Sequence, residues 1–82
     1  MFNIEWKEDA VEQLEKLDSS VGRRIFKTIE GMKEDPFQKD VKKLKALPYY
    51  RLRIGDYRVI FSLDKDLVTI LKIGHRQNIY EK

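Results

Sequence analysis

Residues 49–58 read YYRLRIGDYR, and three of them, Arg51, Arg53 and Arg58, are arginine. Arginine presents a planar fork of N–H donors that matches phosphate oxygens two at a time. Such a cluster suits one task above others: holding a phosphate while negative charge builds on it. It does not suit proton abstraction, because arginine does not deprotonate in proteins.

That task needs the cations on one surface, so the flanking elements decide whether it is possible. Gly55-Asp56 between two alternating apolar runs signals a two-residue hairpin. Ile54 then pairs with Tyr57, Arg53 with Arg58 and Leu52 with Val59. Alternation puts Arg51 on the face of Arg53 and Arg58. Tyr50, Leu52, Ile54, Tyr57, Val59, Phe61 and Leu63 take the core-facing side. For LVTILKIG (67–74), a three-residue loop at 64–66 is expected, with the more apolar side inward. This sends Leu67, Thr69, Leu71 and Ile73 into the core and leaves Val68, Ile70, Lys72 and Arg76 outside. Arg51, Arg53, Arg58, Lys72 and Arg76 are therefore expected on one face. Like charges opposite one another in a sheet cost a few tenths to about 1 kcal/mol. No acid in these strands falls on that face to offset it. An anionic ligand is the expected reason for tolerating the cost. The competing reading is a solvated face whose arginines deter edge aggregation.

The rest of the chain supplies the support. FNIEW (2–6) alternates as a half-buried strand. Val11, Leu14 and Leu17 recur at helical spacing, with Glu8 and Asp9 in the first turn where the helix dipole favours acids. DSSVG (18–22) reads as a break, and Val21, Ile25, Ile29 and Met32 form the stripe of a second helix that ends at Asp35-Pro36. Residues 37–48, FQKDVKKLKALP, read as a connection with room for a helical turn. Trp6, Phe26 and Phe61 are read as core. The expected fold class is α+β: one small domain over 1–82, in the order β-α-α-β-β-β, with an antiparallel sheet and a helical hairpin on one of its faces.

Composition narrows the function classes. The chain has 82 residues, 41% hydrophobic, which is ordinary for a small globular domain. Cysteine is absent, which rules out disulfides and thiolate metal sites. No zinc spacing, phosphate-binding loop or paired carboxylates occur, so no metal and no cofactor are expected. Neither a signal peptide nor a membrane span is expected, and a reducing, cytoplasmic setting fits. The charge is polarised: residues 1–38 carry 6 Lys/Arg against 9 Asp/Glu, and residues 39–82 carry 11 against 5, giving −3 and +6 within a net +3. The basic half implies an anionic partner.

The order of elements, YRLRIGDYRVIF (50–61) and the closing IGHRQNIY (73–80) together resemble the RelE/ParE superfamily, toxins of bacterial and archaeal toxin–antitoxin pairs, along nearly the whole chain. The resemblance implies a RelE-like fold. Its RelE branch is a ribosome-dependent endoribonuclease that cuts mRNA in the decoding site. Its ParE branch poisons DNA gyrase and generally lacks the basic RNase set. The RelE pattern maps its two basic strand residues onto Arg51 and Arg53, its arginine after the hairpin onto Arg58, its late arginine onto Arg76 and its C-terminal tyrosine onto Tyr80. That full set favours RelE over ParE, with Arg51, Arg53, Arg58, Arg76 and Tyr80 as the implied catalytic residues. The best-studied pattern has lysines at the positions of Arg51 and Arg53, and a longer spacing to its tyrosine.

RNA can be cut without metal when its 2′-OH attacks the adjacent phosphorus. The step needs a base, charge stabilisation and an acid for the leaving oxygen. The arginines suit the middle role. Tyr80 remains as acid, base or stacking group. His75 is a minor candidate, since parity puts it opposite Arg76. Lys42, Lys43, Lys45 and Lys72 are expected to meet RNA or ribosomal phosphates, and Tyr49 to stack on RNA. The expected partners are the ribosome with its mRNA and a cognate acidic antitoxin, RelB-like, that wraps the basic face; no membrane is expected. Two other classes compete: a ParE-like gyrase inhibitor, and a non-catalytic RNA- or ribosome-binding module.

Overall fold

The protein is described from a computed structural model, in which residues 1–38 and 40–77 are placed. Strand β1 (Asn3–Trp6) leads into helices α1 (Glu8–Glu15) and α2 (Ser19–Glu30), followed by a 3₁₀ turn (Gly31–Lys33). Strands β2 (Val41–Lys43), β3 (Tyr50–Ile54), β4 (Tyr57–Asp64) and β5 (Leu67–His75) complete the fold. The sheet order is β1-β5-β4-β3-β2. The α+β class with both helices on one face holds, with two additions. The connection contains a short strand, β2, antiparallel to β3, and β1 runs parallel to β5 at the other edge.

The break between the helices is shorter than DSSVG implies. Asp18 precedes α2, and Ser19–Gly22 already form its first turn, with Gly22 N–H donating to Asp18 O at 2.8 Å. Helix α1 has 8 residues, too few to persist alone, so burial must hold it. It buries Ala10 and packs Leu14 against the core, while α2 and the 3₁₀ turn contribute Ile25, Ile29 and Met32. These meet Leu52, Ile54, Val59 and Phe61 of the hairpin, as alternation predicted. No helix among the described residues is long and apolar enough to cross a membrane.

Strand β5 departs from expectation in a way that cancels itself. Asp64 pairs with Leu67, so the loop is Lys65-Asp66, two residues instead of three. That shift of one residue turns Val68 and Ile70 inward; both are fully buried. Leu67, Thr69 and Leu71, expected inside, leave the core. The register then slips between Ile60 and Phe61: Phe61 pairs with Ile70, Ile60 with Lys72, and Leu71 is the extra residue of a β-bulge. Beyond the bulge the parity is restored, with Ile73 buried and Lys72 exposed. The bulge sits where β1 runs out. Lys7 N–H makes the last β1 contact, to Ile70 O at 2.9 Å, and the Gln13 side chain of α1 accepts Ile73 N–H at 2.7 Å. Leu71 joins Leu44, Leu47 and Ile60 in a small apolar cluster on the face away from the helices. Part of that face is thus covered by the β2–β3 loop.

Phe26 is also misread by its size. It is 45% exposed and stacks on Trp6, with ring centroids 6.0 Å apart, instead of entering the core.

Candidate basic face and the family it belongs to

The hairpin has the expected register: Ile54 pairs with Tyr57, Arg53 with Arg58 and Leu52 with Val59. Gly55 opens the two-residue loop at φ +59, a conformation that costs glycine almost nothing. With β2 and β5 added, the face opposite the helices becomes a grid. One row crosses it as Lys42, Arg51, Ile60 and Lys72. The next row, nearer the turn, is Arg53, Arg58 and Gly74, with Asp40 beside Arg53. Arg76 follows at the end of β5, where its backbone N–H donates to Asp56 O at 2.8 Å. The structure therefore brings Arg51, Arg53, Arg58, Lys72 and Arg76 together, and adds Lys42.

How the face tolerates this charge is visible in its hydrogen bonds. Arg53 and Arg58 face each other across the ladder, yet each guanidinium has other partners. Arg53 Nη2 donates to Asp40 Oδ1 at 3.4 Å. Arg58 Nη1 turns to the carbonyls of Gly55 and Tyr57 at 3.4 and 3.3 Å. Arg76 Nε lies 4.0 Å from Asp56 Oδ1. Among the described residues no acid within the strands offsets the arginines, as expected, but two acids just outside them do, Asp40 before β2 and Asp56 in the turn. Asp40 was hidden in the supposed connection, and its place beside Arg53 depends on β2 being a strand. The side chains of Arg53 and Asp40 are 57% and 44% exposed, so the pair stabilises by about 0–1 kcal/mol at most and yields readily to a stronger anion.

The remaining expected residues fall in different places. Alternation turns Lys43 away from the grid with its partner Tyr50, and its Nζ donates to Leu47 O at 3.3 Å. Lys45 is exposed in the β2–β3 loop, and Tyr49, at 36% exposure, ends that loop on the parity of Arg51. His75 lies opposite Arg76 as parity required: it meets Tyr57 edge-to-face at 5.4 Å, and its Nδ1 accepts Gln77 N–H at 3.2 Å. Tyr80 lies outside the described residues.

One basic residue escaped sequence reasoning. Arg24 of α2 reaches the hairpin turn, where a Cβ built on Gly55 would stand 3.3 Å from its Nη1. Nothing in the helical pattern around Arg24 marks it, because the approach depends on how α2 crosses the sheet.

Comparison with known proteins identifies the family and agrees with the fold. Residues 4–80 match the family described as the ParE toxin of type II toxin–antitoxin system, parDE. A curated protein of Methanocaldococcus jannaschii, named putative toxin RelE1, is 33% identical, covering 98% of this chain and 96% of its own length. The archaeal RelE-RelB complex from Pyrococcus horikoshii contains a chain 28% identical, with a TM-score of 0.82, covering 95% of this chain and 98% of that one. The RelB-RelE antitoxin-toxin complex from Methanococcus jannaschii contains another at 28% identity and a TM-score of 0.80, covering 93% and 94%. With a family match over nearly the whole chain and a full-length relative a third identical, the protein belongs to the RelE/ParE family of toxins of type II toxin–antitoxin systems.

Proposed function

We propose that the protein is a ribosome-dependent endoribonuclease that cuts mRNA in the decoding site without using a metal ion. The observation that carries this reading is the hairpin end of the sheet, where Arg51, Arg53, Arg58, Lys42, Lys72 and Arg76 share one face. The 2′-oxygen attacks the adjacent phosphorus, its proton passes to a base, and the bond to the 5′-oxygen breaks as that oxygen takes up a proton. The products are a 2′,3′-cyclic phosphate and a 5′-OH. Arg51, Arg53, Arg58 and Arg76 hold the phosphate and stabilise the charge that develops on it. Arginine cannot take the proton; Tyr80, which the family pattern implies, is the proposed proton-transfer group, with His75 and the lysines of 42–45 as the alternatives, and the ribosome holds the message for in-line attack. Lys42 and Lys72 take flanking phosphates; Lys45 and Tyr49 form the rim.

The natural antagonist in this reading is an acidic antitoxin that neutralises the same face. The RelE-RelB complexes among the similar structures support such a partner, as does the +6 half of the chain.

A second reading has one specific observation in its favour, the match to the family described as ParE. It makes the protein a gyrase inhibitor that uses the face without chemistry.

Primer extension on a message held in programmed ribosomes separates the two. Cleavage predicts a new stop within the decoding-site codon, lost with Arg76→Ala. Intact messages with folded protein, together with blocked supercoiling by purified gyrase, would transfer the assignment to the second reading.

A further inference from the structure

The basic face does not end at the sheet. Around the hairpin end of β3, on the side of α2, lies a cleft of about 290 Å³ lined in part by Arg24, Thr28, Gln38, Asp40, Arg53 and Gly55. We propose that this cleft is a second nucleic-acid subsite, which takes one ribonucleotide next to the phosphate held on the arginine face. It rests on the reading of that face as an RNA site.

Its chemistry is that of a nucleoside phosphate. Two basic residues line it, Arg24 from the helix and Arg53 from the strand edge, and the Arg53 guanidinium reaches the Asp40 carboxylate on the same rim. The guanidinium fork is the side chain best matched to phosphate oxygens. Arg24 makes no ion pair among the described residues, so its charge is available. Among the described residues the Arg53 side chain is held by Asp40, at 3.4 Å in an exposed pair that a phosphate can displace. Asp40 then becomes an acceptor with no partner, which suits a sugar hydroxyl and disfavours a bare phosphate. The volume falls just under the usual range of ligand pockets, about 300–1,000 Å³, so it offers room for one mononucleotide and not for a folded strand.

The wall is built in advance. Thr28 Oγ1 donates to Arg24 O at 2.9 Å, and Gln38 Nε2 donates to Thr28 O at 3.2 Å, which ties α2 to the segment that carries Asp40. On the other side Gly55 lets the Arg24 guanidinium lie against the turn, 3.3 and 3.5 Å from where a Cβ would be. Because Arg53 belongs to both the cleft and the grid, consecutive phosphates of one strand can occupy both.

The test is a pair of NMR titrations without ribosomes, one with adenosine monophosphate and one with a short RNA oligomer, read at the backbone amides of Thr28, Gln38, Gly55 and Gly74. Wild type is compared with Arg24→Gln and Lys72→Gln. Saturable shifts at Thr28, Gln38 and Gly55 are expected with the mononucleotide, weakened about tenfold by Arg24→Gln and unchanged by Lys72→Gln. The oligomer should be weakened by both substitutions, and inorganic phosphate should bind less well than the nucleotide. Mononucleotide shifts confined to Gly74 and insensitive to Arg24→Gln would overturn the subsite, as would the absence of saturable shifts. The two readings fail separately. Arg24-dependent binding alongside uncut ribosomal messages removes the nuclease and keeps the subsite. Normal cutting with no Arg24 dependence in either titration does the reverse.

Discussion

The pairing of Arg53 with Arg58 makes a prediction that runs against habit: removing a charged, half-buried side chain should stabilise the free protein. The two residues stand directly opposite in the β3–β4 ladder. Their guanidinium groups turn apart, Arg53 to Asp40 and Arg58 to the turn carbonyls. Two unit charges about 4 Å apart repel by about 1 kcal/mol in a water-like dielectric, and these groups turn apart, so about 0.5 kcal/mol is expected, within the range of like-charge cross-strand pairs. Against this stand the two hydrogen bonds of Arg58, both at the long end of the range, so each contributes little. Arg58→Gln keeps a donor and most of the stem but drops the charge. It should raise stability by about 0.5 kcal/mol at low salt, a rise in Tm of about 2–4 °C for a domain of this size. Arg58→Lys, which keeps the charge, should not. At about 1 M salt the Debye length shrinks to about 3 Å, and the difference between the two variants should vanish. Thermal unfolding followed by circular dichroism at both salt concentrations measures this. Equal or lower stability of Arg58→Gln at low salt, or a gap that salt leaves unchanged, would refute the idea that the face is strained when empty. The same variant should lose message cutting, so stability and function should move in opposite directions.

Two further predictions concern the register of β5 and its entry turn. Ile70→Ala should cost about 2–5 kcal/mol because the side chain is fully buried, whereas Leu67→Ala, half-exposed, should cost under about 1 kcal/mol; equal losses in urea unfolding would contradict the two-residue loop and the bulge. Lys65 carries φ 58 at the first position of that loop, so Lys65→Gly should relieve strain and raise Tm by about 2–4 °C, the entropy of glycine offsetting part of the gain; a lower Tm would mean that the backbone there is not strained.

Much of this was legible without coordinates. The Gly55-Asp56 pair and strict alternation on both sides determine the hairpin register, because a slip of one residue would turn the apolar set outward. The helical stripe of Ile25, Ile29 and Met32 and the acids that open α1 are local signals of the same kind. For β5 the signal was ambiguous. Val68 and Ile70 are as apolar as Leu67 and Leu71, so the pattern could not choose between parities, and the two-residue loop and the bulge each move it by one. The errors cancelled beyond the bulge, which is why Lys72 and Arg76 were still placed on the basic face.

The sequence by itself thus determined the class of fold, the hairpin, and the side of the sheet on which the arginines stand. Those features follow from period and turn chemistry within a few residues. Tertiary structure decided which groups meet those arginines. β2 forms only by pairing with β3, and that pairing sets Asp40 beside Arg53. Residue Arg76 reaches Asp56 because β5 ends alongside the hairpin turn. Arg24 reaches Gly55 because α2 crosses the sheet where it does. Each of these contacts joins residues distant in sequence, and no local period or propensity carries information about them.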